Sequence, residues 1–270
     1  MTQISRTSWL LLTLTFVFVA CSTVPLTGRK QLNIIPASTM LSMSFQEYGD
    51  FLKSNKLSND QAATAMVKNV GARISRAVEQ YMSQQGLSSH LKGYAWEFNL
   101  VQSDEVNAWC MPGGKVVFYT GILPITRDEA GIAVVMGHEV AHAVAEHGGE
   151  RMSQGLLAEM GGMALSAALD KEPEKTKALW MTAFGIGAQV GVLLPFSRTQ
   201  ESEADRLGLI FMSMAGYDPN TAVAFWERMA AQKGGQSPPE FLSTHPSDQT
   251  RINDIKKHIP EAMRFYKPGG

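Results

Sequence analysis

Cysteine is nearly missing from this 270-residue chain, which carries only Cys21 and Cys110. Two cysteines build no disulfide framework and no cysteine-rich zinc site, so any metal must be held by histidines and carboxylates. An excess of charge is missing as well. Twenty-four Lys and Arg stand against 25 Asp and Glu, for a formal net charge of -1. That balance gives no electrostatic case for nucleic acid as a partner. Internal repeats and low-complexity tracts are also lacking, and 44% hydrophobic residues fit a globular protein rather than a disordered one.

Long apolar runs are scarce. Trp9–Ala20, preceded by Arg6, is too short to span a bilayer and suits the hydrophobic region of a secretory signal. Phe18-Val19-Ala20-Cys21 resembles a bacterial lipoprotein signal, although Phe18 replaces the usual Leu. The resemblance implies that residues 1–20 are removed and Cys21 is lipidated; residues 21–36 read as a tether, punctuated by Pro25, Gly28 and Pro36. Ser22 then favours the periplasmic face of the outer membrane. An ordinary cleaved signal is the alternative. Ala178–Phe196 approaches transmembrane length, with a small-residue row at Ala183, Gly187 and Gly191. Its glycines and Gln189 favour a buried or amphipathic core helix over a membrane-contacting element.

Residues 37–270 read as one domain. Ala37–Asn55 has apolar residues near helical spacing, and Asn59 is placed to cap a helix running to about Gln85, striped by Ala62, Met66, Val70, Ile74 and Val78. The period then changes. Tyr94–Val101 alternates as a half-buried strand does, and Asn107–Met111 and Lys115–Thr120 flank the turn Pro112-Gly113-Gly114. Thr126 with Glu129 reads as a capping box opening a helix to about Arg151. Helical patterning continues to the end, broken near Pro173, Pro195, Gly216–Pro219 and Gly234–Pro239. The fold class is α+β, mostly helical with a small sheet.

The chemistry concentrates in His138-Glu139-Val140-Ala141-His142. Histidines four apart project from one helix face and can share one zinc, with Glu139 beside them as the base that takes a proton from water. The flanking Val134, Val135, Val140, Ala143 and Val144 make this helix apolar nearly all round. A core helix carries two His and a Glu only if something satisfies them. Two imidazoles leave zinc needing a third ligand. In Glu201-Ser202-Glu203-Ala204-Asp205, Glu201 and Asp205 share a helix face while Glu203 points elsewhere. Glu201 is therefore assigned as the ligand, and Asp205 as the carboxylate that orients a ligand imidazole.

These motifs resemble the HtpX and CAAX-prenyl-protease family of zinc peptidases, closest to its bacterial periplasmic lipoprotein branch. The likeness runs through Asn107–Lys115, Tyr119-Thr120-Gly121, His138–Arg151, Glu201–Gly208, and Ser243-Thr244-His245-Pro246 with Arg251. It implies a zincin-type peptidase domain with one zinc on His138, His142 and Glu201, Glu139 as base, and Asp205 in support. It further implies substrates among misfolded or stalled envelope proteins, including those bound for the outer membrane. A zinc-containing chaperone or assembly factor is the alternative, and a purely structural lipoprotein is disfavoured by the retained Glu139. His245, after a flexible Gly-Pro-rich stretch, is open between a removable fourth ligand, an oxyanion stabiliser and a plain loop residue. His90, His147 and His258 read as surface residues, although His147 lies close to the end of the metal helix. Lys115–Thr120 is weighed as a sheet edge for substrate against a core strand. Met136, Met152, Met160, Met163, Met181, Met212, Met214 and Met229 are weighed as adaptable surface against core filler.

Overall fold

The apolar stripe from Ala62 to Val78 forms a helix, as its spacing predicts, and buries Val67, Val70, Ile74 and Val78. In the computed structural model, which describes residues 21–170, 174–175, 197–232, 240–246 and 249–268, its N-cap is Asp60. That carboxylate accepts from the Ala63 amide at 2.9 Å, one residue beyond the expected Asn59. The expected leader, residues 1–20, and the segment Ala178–Phe196 lie outside the described residues. Among those described, no helix is long and apolar enough to cross a membrane.

The chain divides into two compact units: Met1–Ala37 with Gly149–Leu194, and Ser38–Gly148 with Pro195–Gly270. The first unit includes residues 21–36, read above as a tether. Strand β1 (Cys21–Thr23) pairs antiparallel with β2 (Lys30–Leu32). Arg29 donates to both carboxylate oxygens of Glu150 at 2.9 and 2.7 Å, and the Ile34 amide donates to Ser153 Oγ at 3.1 Å. A bidentate pair and a backbone bond fix this stretch against its neighbour, which punctuation by Pro and Gly does not reveal.

The second unit holds α1 (Ala37–Ser54, all but its first residue), α2 (Gln61–Gln84) and a three-stranded sheet of β3 (Glu97–Val101), β4 (Ala108–Met111) and β5 (Lys115–Tyr119). The strand order is β3-β5-β4, with β3 parallel and β4 antiparallel to β5. Strand β5, weighed above as an edge for substrate, is the central strand. Val116, Val117 and Phe118 are consecutively buried, the continuous pattern of a strand covered on both faces. The outer side of β3 is met by residues 56–58, where the Ser58 amide donates to Leu100 O and the Gln102 amide to Lys56 O, each at 2.8 Å. Strand β4 ends the sheet.

A short helix α3 (Leu123–Thr126) leads to α4 (Glu129–Val144), whose N-cap is Asp128 rather than Thr126; Asp128 accepts from the Gly131 amide at 2.8 Å. Helix α4 is buried continuously from Gly131 to Val144. It does not continue to Arg151. Glu146 has φ +59°, a left-handed backbone that ends one helix and redirects the chain into α5 (His147–Ala168). Then follow α6 (Arg198–Met214), closed at its start by a reciprocal capping box between Ser197 and Gln200, α7 (Thr221–Ala231), α8 (Glu240–Thr244) and α9 (Gln249–Ala262). The methionines split by location. Met136, Met212 and Met229 are core, whereas Met152, Met160 and Met163 on α5 are exposed; Met181 lies outside the described residues.

One close approach sets the position of the site. A Cβ placed on Gly137 of α4 would lie 2.7 Å from Gly208 O of α6, and one on Gly208 would lie 2.8 Å from the Gly137 carbonyl carbon. Only glycine at both positions lets the two backbones touch. The next residue on α4 is His138.

Candidate metal centre

Because α4 and α6 meet at those glycines, the helix face bearing His138 and His142 confronts the face bearing Glu201 and Asp205. Each pair is one turn apart, so two short sequence motifs become one cluster. Its third contributor follows α8. The His245 amide donates to Phe241 O at 2.9 Å, and the imidazole stacks against the buried Phe241 ring. Four atoms converge: His138 Nε2, His142 Nε2, Glu201 Oε1 and His245 Nδ1. His138 Nε2 lies 3.1 Å from both His142 Nε2 and His245 Nδ1. Glu201 Oε1 lies 2.9 Å from His245 Nδ1 and 3.2 Å from His142 Nε2. All four residues are buried, and their ligand atoms lie within 4.8 Å of one another.

The spacing fits a cation. Four ligands on a tetrahedral zinc stand roughly 3.3 Å apart when each bond is about 2.0–2.1 Å. Tautomers point the same way. His138 Nδ1 is 2.9 Å from Asp205 Oδ1, so it carries the proton that the carboxylate accepts, and Nε2 is the nitrogen left to face the cluster, where a metal cation would compete with a proton. Burial pulls the His138 imidazole down, but its bonds to Asp205 and Glu201 outweigh this and raise it to about 9. Its surroundings are built for positive charge. Burial pushes the Glu201 carboxyl up, yet Arg251 and His245 hold it well below the usual carboxylate range. The cluster is compatible with a metal ion.

Glu139 sits beside this cluster, 4% exposed. Its Oε1 has no hydrogen-bond partner among the described residues, and the His245 Nε2 stands 3.5 Å away. Burial is the main cause that raises its carboxyl above the ordinary value, with His245 pulling the other way. Strand β4 runs nearby, and the charge of Glu139 adds to the burial that holds the Cys110 thiol up.

Three residues of the site were not legible as such. Arg251, on α9, donates through Nε and Nη2 to the two oxygens of Asp205, both at 2.8 Å. Its Nη1 lies 2.6 Å from Glu201 Oε2, and its guanidinium stacks 3.6 Å from the Trp226 ring centroid. The match at Arg251 was visible in the sequence, but not that it spans both carboxylates. His147, read as a surface residue, is 0% exposed. Its Nδ1 lies 2.9 Å from His142 Nδ1, and its Nε2 lies 3.2 Å from Glu203 Oε2. Glu203 indeed points away from the cluster, but toward His147. Of the other two histidines, His90 is exposed and His258 half-buried.

The pattern of Peptidase family M48 matches residues 68–259, a span that contains every residue described in the cluster. The chain belongs to this family. It is 32% identical to the mitochondrial metalloendopeptidase OMA1 of Schizosaccharomyces pombe over 251 residues, 92% of this chain and 69% of that protein. It is 31% identical to the Bos taurus metalloendopeptidase OMA1 over 94% of this chain and 49% of that protein. The beta-barrel assembly-enhancing protease of Escherichia coli is 28% identical over 75% of this chain and 40% of that protein. The chain thus spans about half the length of several relatives it matches.

These relatives correct the expected location. The proteins similar over more than nine-tenths of the chain are mitochondrial enzymes, which points away from a lipid-anchored protein at the periplasmic face of an outer membrane. The Escherichia coli protein is matched over less of the chain, at 28% identity. The physical reason is plain. A short apolar run beside a cysteine is an address read by a receptor and has little to do with the fold. Cys21 itself stands in strand β1.

Proposed function

We propose that the chain is a zinc-dependent endopeptidase that cuts unfolded or misfolded proteins, with His138, His142 and Glu201 as ligands of one zinc and Glu139 as base. The observation that carries this reading is the convergence of four buried ligand atoms, all within 4.8 Å of one another, beside a buried carboxylate whose Oε1 is unbonded among the described residues. Imidazole and carboxylate donors without a thiolate suit zinc in a hydrolytic role. When bound, the ion supplies Lewis acidity toward water and the peptide carbonyl.

The residues divide the remaining work. Glu139 Oε1 takes the proton of the attacking water and returns it to the departing amine nitrogen, a task suited to a carboxyl raised by burial. Asp205 and Arg251 fix His138 and Glu201. His245 acts as a removable fourth ligand through Nδ1, a reading supported by its 2.9 and 3.1 Å contacts within the cluster; the oxyanion role is the alternative that its mutation separates. With β5 central, β4 is the strand that can receive an extended peptide, drawing affinity from main-chain bonds available in any unfolded sequence.

The test digests casein with the wild-type chain and with Glu139→Gln, each with and without chelator. Cleavage by the wild type alone, abolished by chelation and restored by zinc, is expected. Cleavage that survives in Glu139→Gln or in chelator would sink the proposal. A protein that retains zinc and binds casein without cutting it would be a holding factor instead.

A further inference from the structure

His142 Nδ1, the nitrogen that turns away from the cluster, meets another imidazole. His147 Nδ1 is 2.9 Å from it, and Glu203 Oε2 is 3.2 Å from His147 Nε2. The His147 side chain is 0% exposed and that of Glu203 is 11% exposed. This arrangement differs from the one at His138, where Asp205 touches the ligand ring directly.

The hydrogen-bond inventory fixes the direction of the chain. An ionised Glu203 can only accept, so His147 Nε2 carries a proton. A neutral His147 then presents a lone pair at Nδ1. His142 must place its proton on Nδ1 to donate to it, which leaves a lone pair on His142 Nε2, facing His138 and Glu201. We propose that His147 and Glu203 are positioning residues that select the His142 tautomer with a free Nε2 and hold its ring in place for the metal. The inference rests on the metal-site reading above.

Local backbone geometry supports it. His147 is five residues from His142, so on a continued α4 it would stand about 140° around the helix from it. The left-handed turn at Glu146 ends the helix and allows the His147 ring to come back against the His142 ring, with centroids 4.9 Å apart. A strained backbone position retained beside a functional cluster is the kind of observation from which a role can be argued. Glu203, next to the Ser202 that separates it from Glu201, reaches His147 because it lies off the metal-facing side of α6. The two faces of one helix thus serve two different histidines.

The experiment measures cobalt(II) affinity by chelator competition, and the visible absorption of bound cobalt, for the full chain. The variants are His147→Leu, His147→Gln and Glu203→Gln, with His142→Ala as the ligand control. His147→Leu is expected to weaken cobalt binding about 10–100-fold, the usual effect of losing a partner of a ligand histidine, and to shift the absorption bands. His147→Gln, whose amide still offers one acceptor and one donor, should recover most of the affinity; a merely packed ring would predict no such rescue. Glu203→Gln is isosteric and keeps the fold accessible to measurement. Its effect should be smaller and should vanish in the His147→Leu background, because the two act in series. Wild-type affinity and spectrum in both His147→Leu and Glu203→Gln would overturn the relay while leaving the metal site intact. A wild-type chain that binds no cobalt, or a His142→Ala variant that binds it unchanged, would overturn the metal-site reading and this inference with it.

Discussion

Glu201 on α6 and Arg251 on α9 form a 2.6 Å ion pair in which neither side chain is more than 7% exposed. The same guanidinium binds Asp205 in a fork. Two buried carboxylates therefore share one fixed cation, and its removal leaves them only the imidazoles of His138 and His245 as partners. Arg251→Met should lower the unfolding free energy of the metal-free chain by about 3–5 kcal/mol, the cost of breaking a buried pair by deleting one partner. Zinc should restore part of this loss, since it supplies positive charge to Glu201. Urea unfolding with and without zinc checks both statements. A metal-free variant as stable as the wild type would show that Arg251 is dispensable to the fold.

The glycine crossing makes a second prediction. A methyl on Gly208 meets the Gly137 carbonyl carbon at 2.8 Å, and backbone atoms cannot swing away as a side chain tip can. Gly208→Ala should cost about 1–3 kcal/mol by overpacking. It should also weaken zinc binding, because parting α4 from α6 separates His138 from Glu201. Unchanged zinc affinity in a destabilised variant would mean the helices part without opening the cluster.

Glu139→Gln should keep the metal and the fold while casein cleavage falls by about 10²–10⁴, the range for loss of a general base. The Oε1 atom has no hydrogen bond to lose among the described residues, so the melting temperature should not fall. A pronounced fall in melting temperature together with lost zinc would assign Glu139 a structural role instead.

His245→Ala separates two roles by sign. Removal of a detachable fourth ligand should preserve or raise turnover, whereas loss of an oxyanion donor costs about 10²–10³ in rate. A zinc-loaded variant with a hundredfold loss of turnover would end the fourth-ligand reading.

Glu201→Ala should strip the metal outright, since it removes a ligand oxygen. Glu203→Ala, which removes only the partner of His147, should leave a site that fills at higher zinc concentration. Zinc content after dialysis, measured across a range of free zinc, distinguishes loss from weakening. Equal loss in both variants would contradict the assignment of Glu201 as the ligand.

What the sequence determined by itself was everything that helix periodicity fixes. His138 and His142 share a face because they are four apart, Glu201 and Asp205 likewise, and both motifs fall in helices. A spacing of one turn is a local property, so no packing partner is needed to read it. The α+β class followed from the change of period near Tyr94 in the same way. Tertiary structure decided which faces meet. Nothing in the separation of 71 residues between Gly137 and Gly208 says that they touch, although their lack of side chains is what permits it. The strands were found, but their order was not, because β3 and β4 both pair with β5 and the alternation of one strand does not name its neighbours. His147 was misjudged for a related reason: a helix carried through Glu146 would point it elsewhere, and only the left-handed residue turns it inward. Arg251 reaches Glu201 and Asp205 because α9 packs against α6. A long guanidinium can satisfy either exposed water or two buried carboxylates, and only the packing of the chain around it chooses between them.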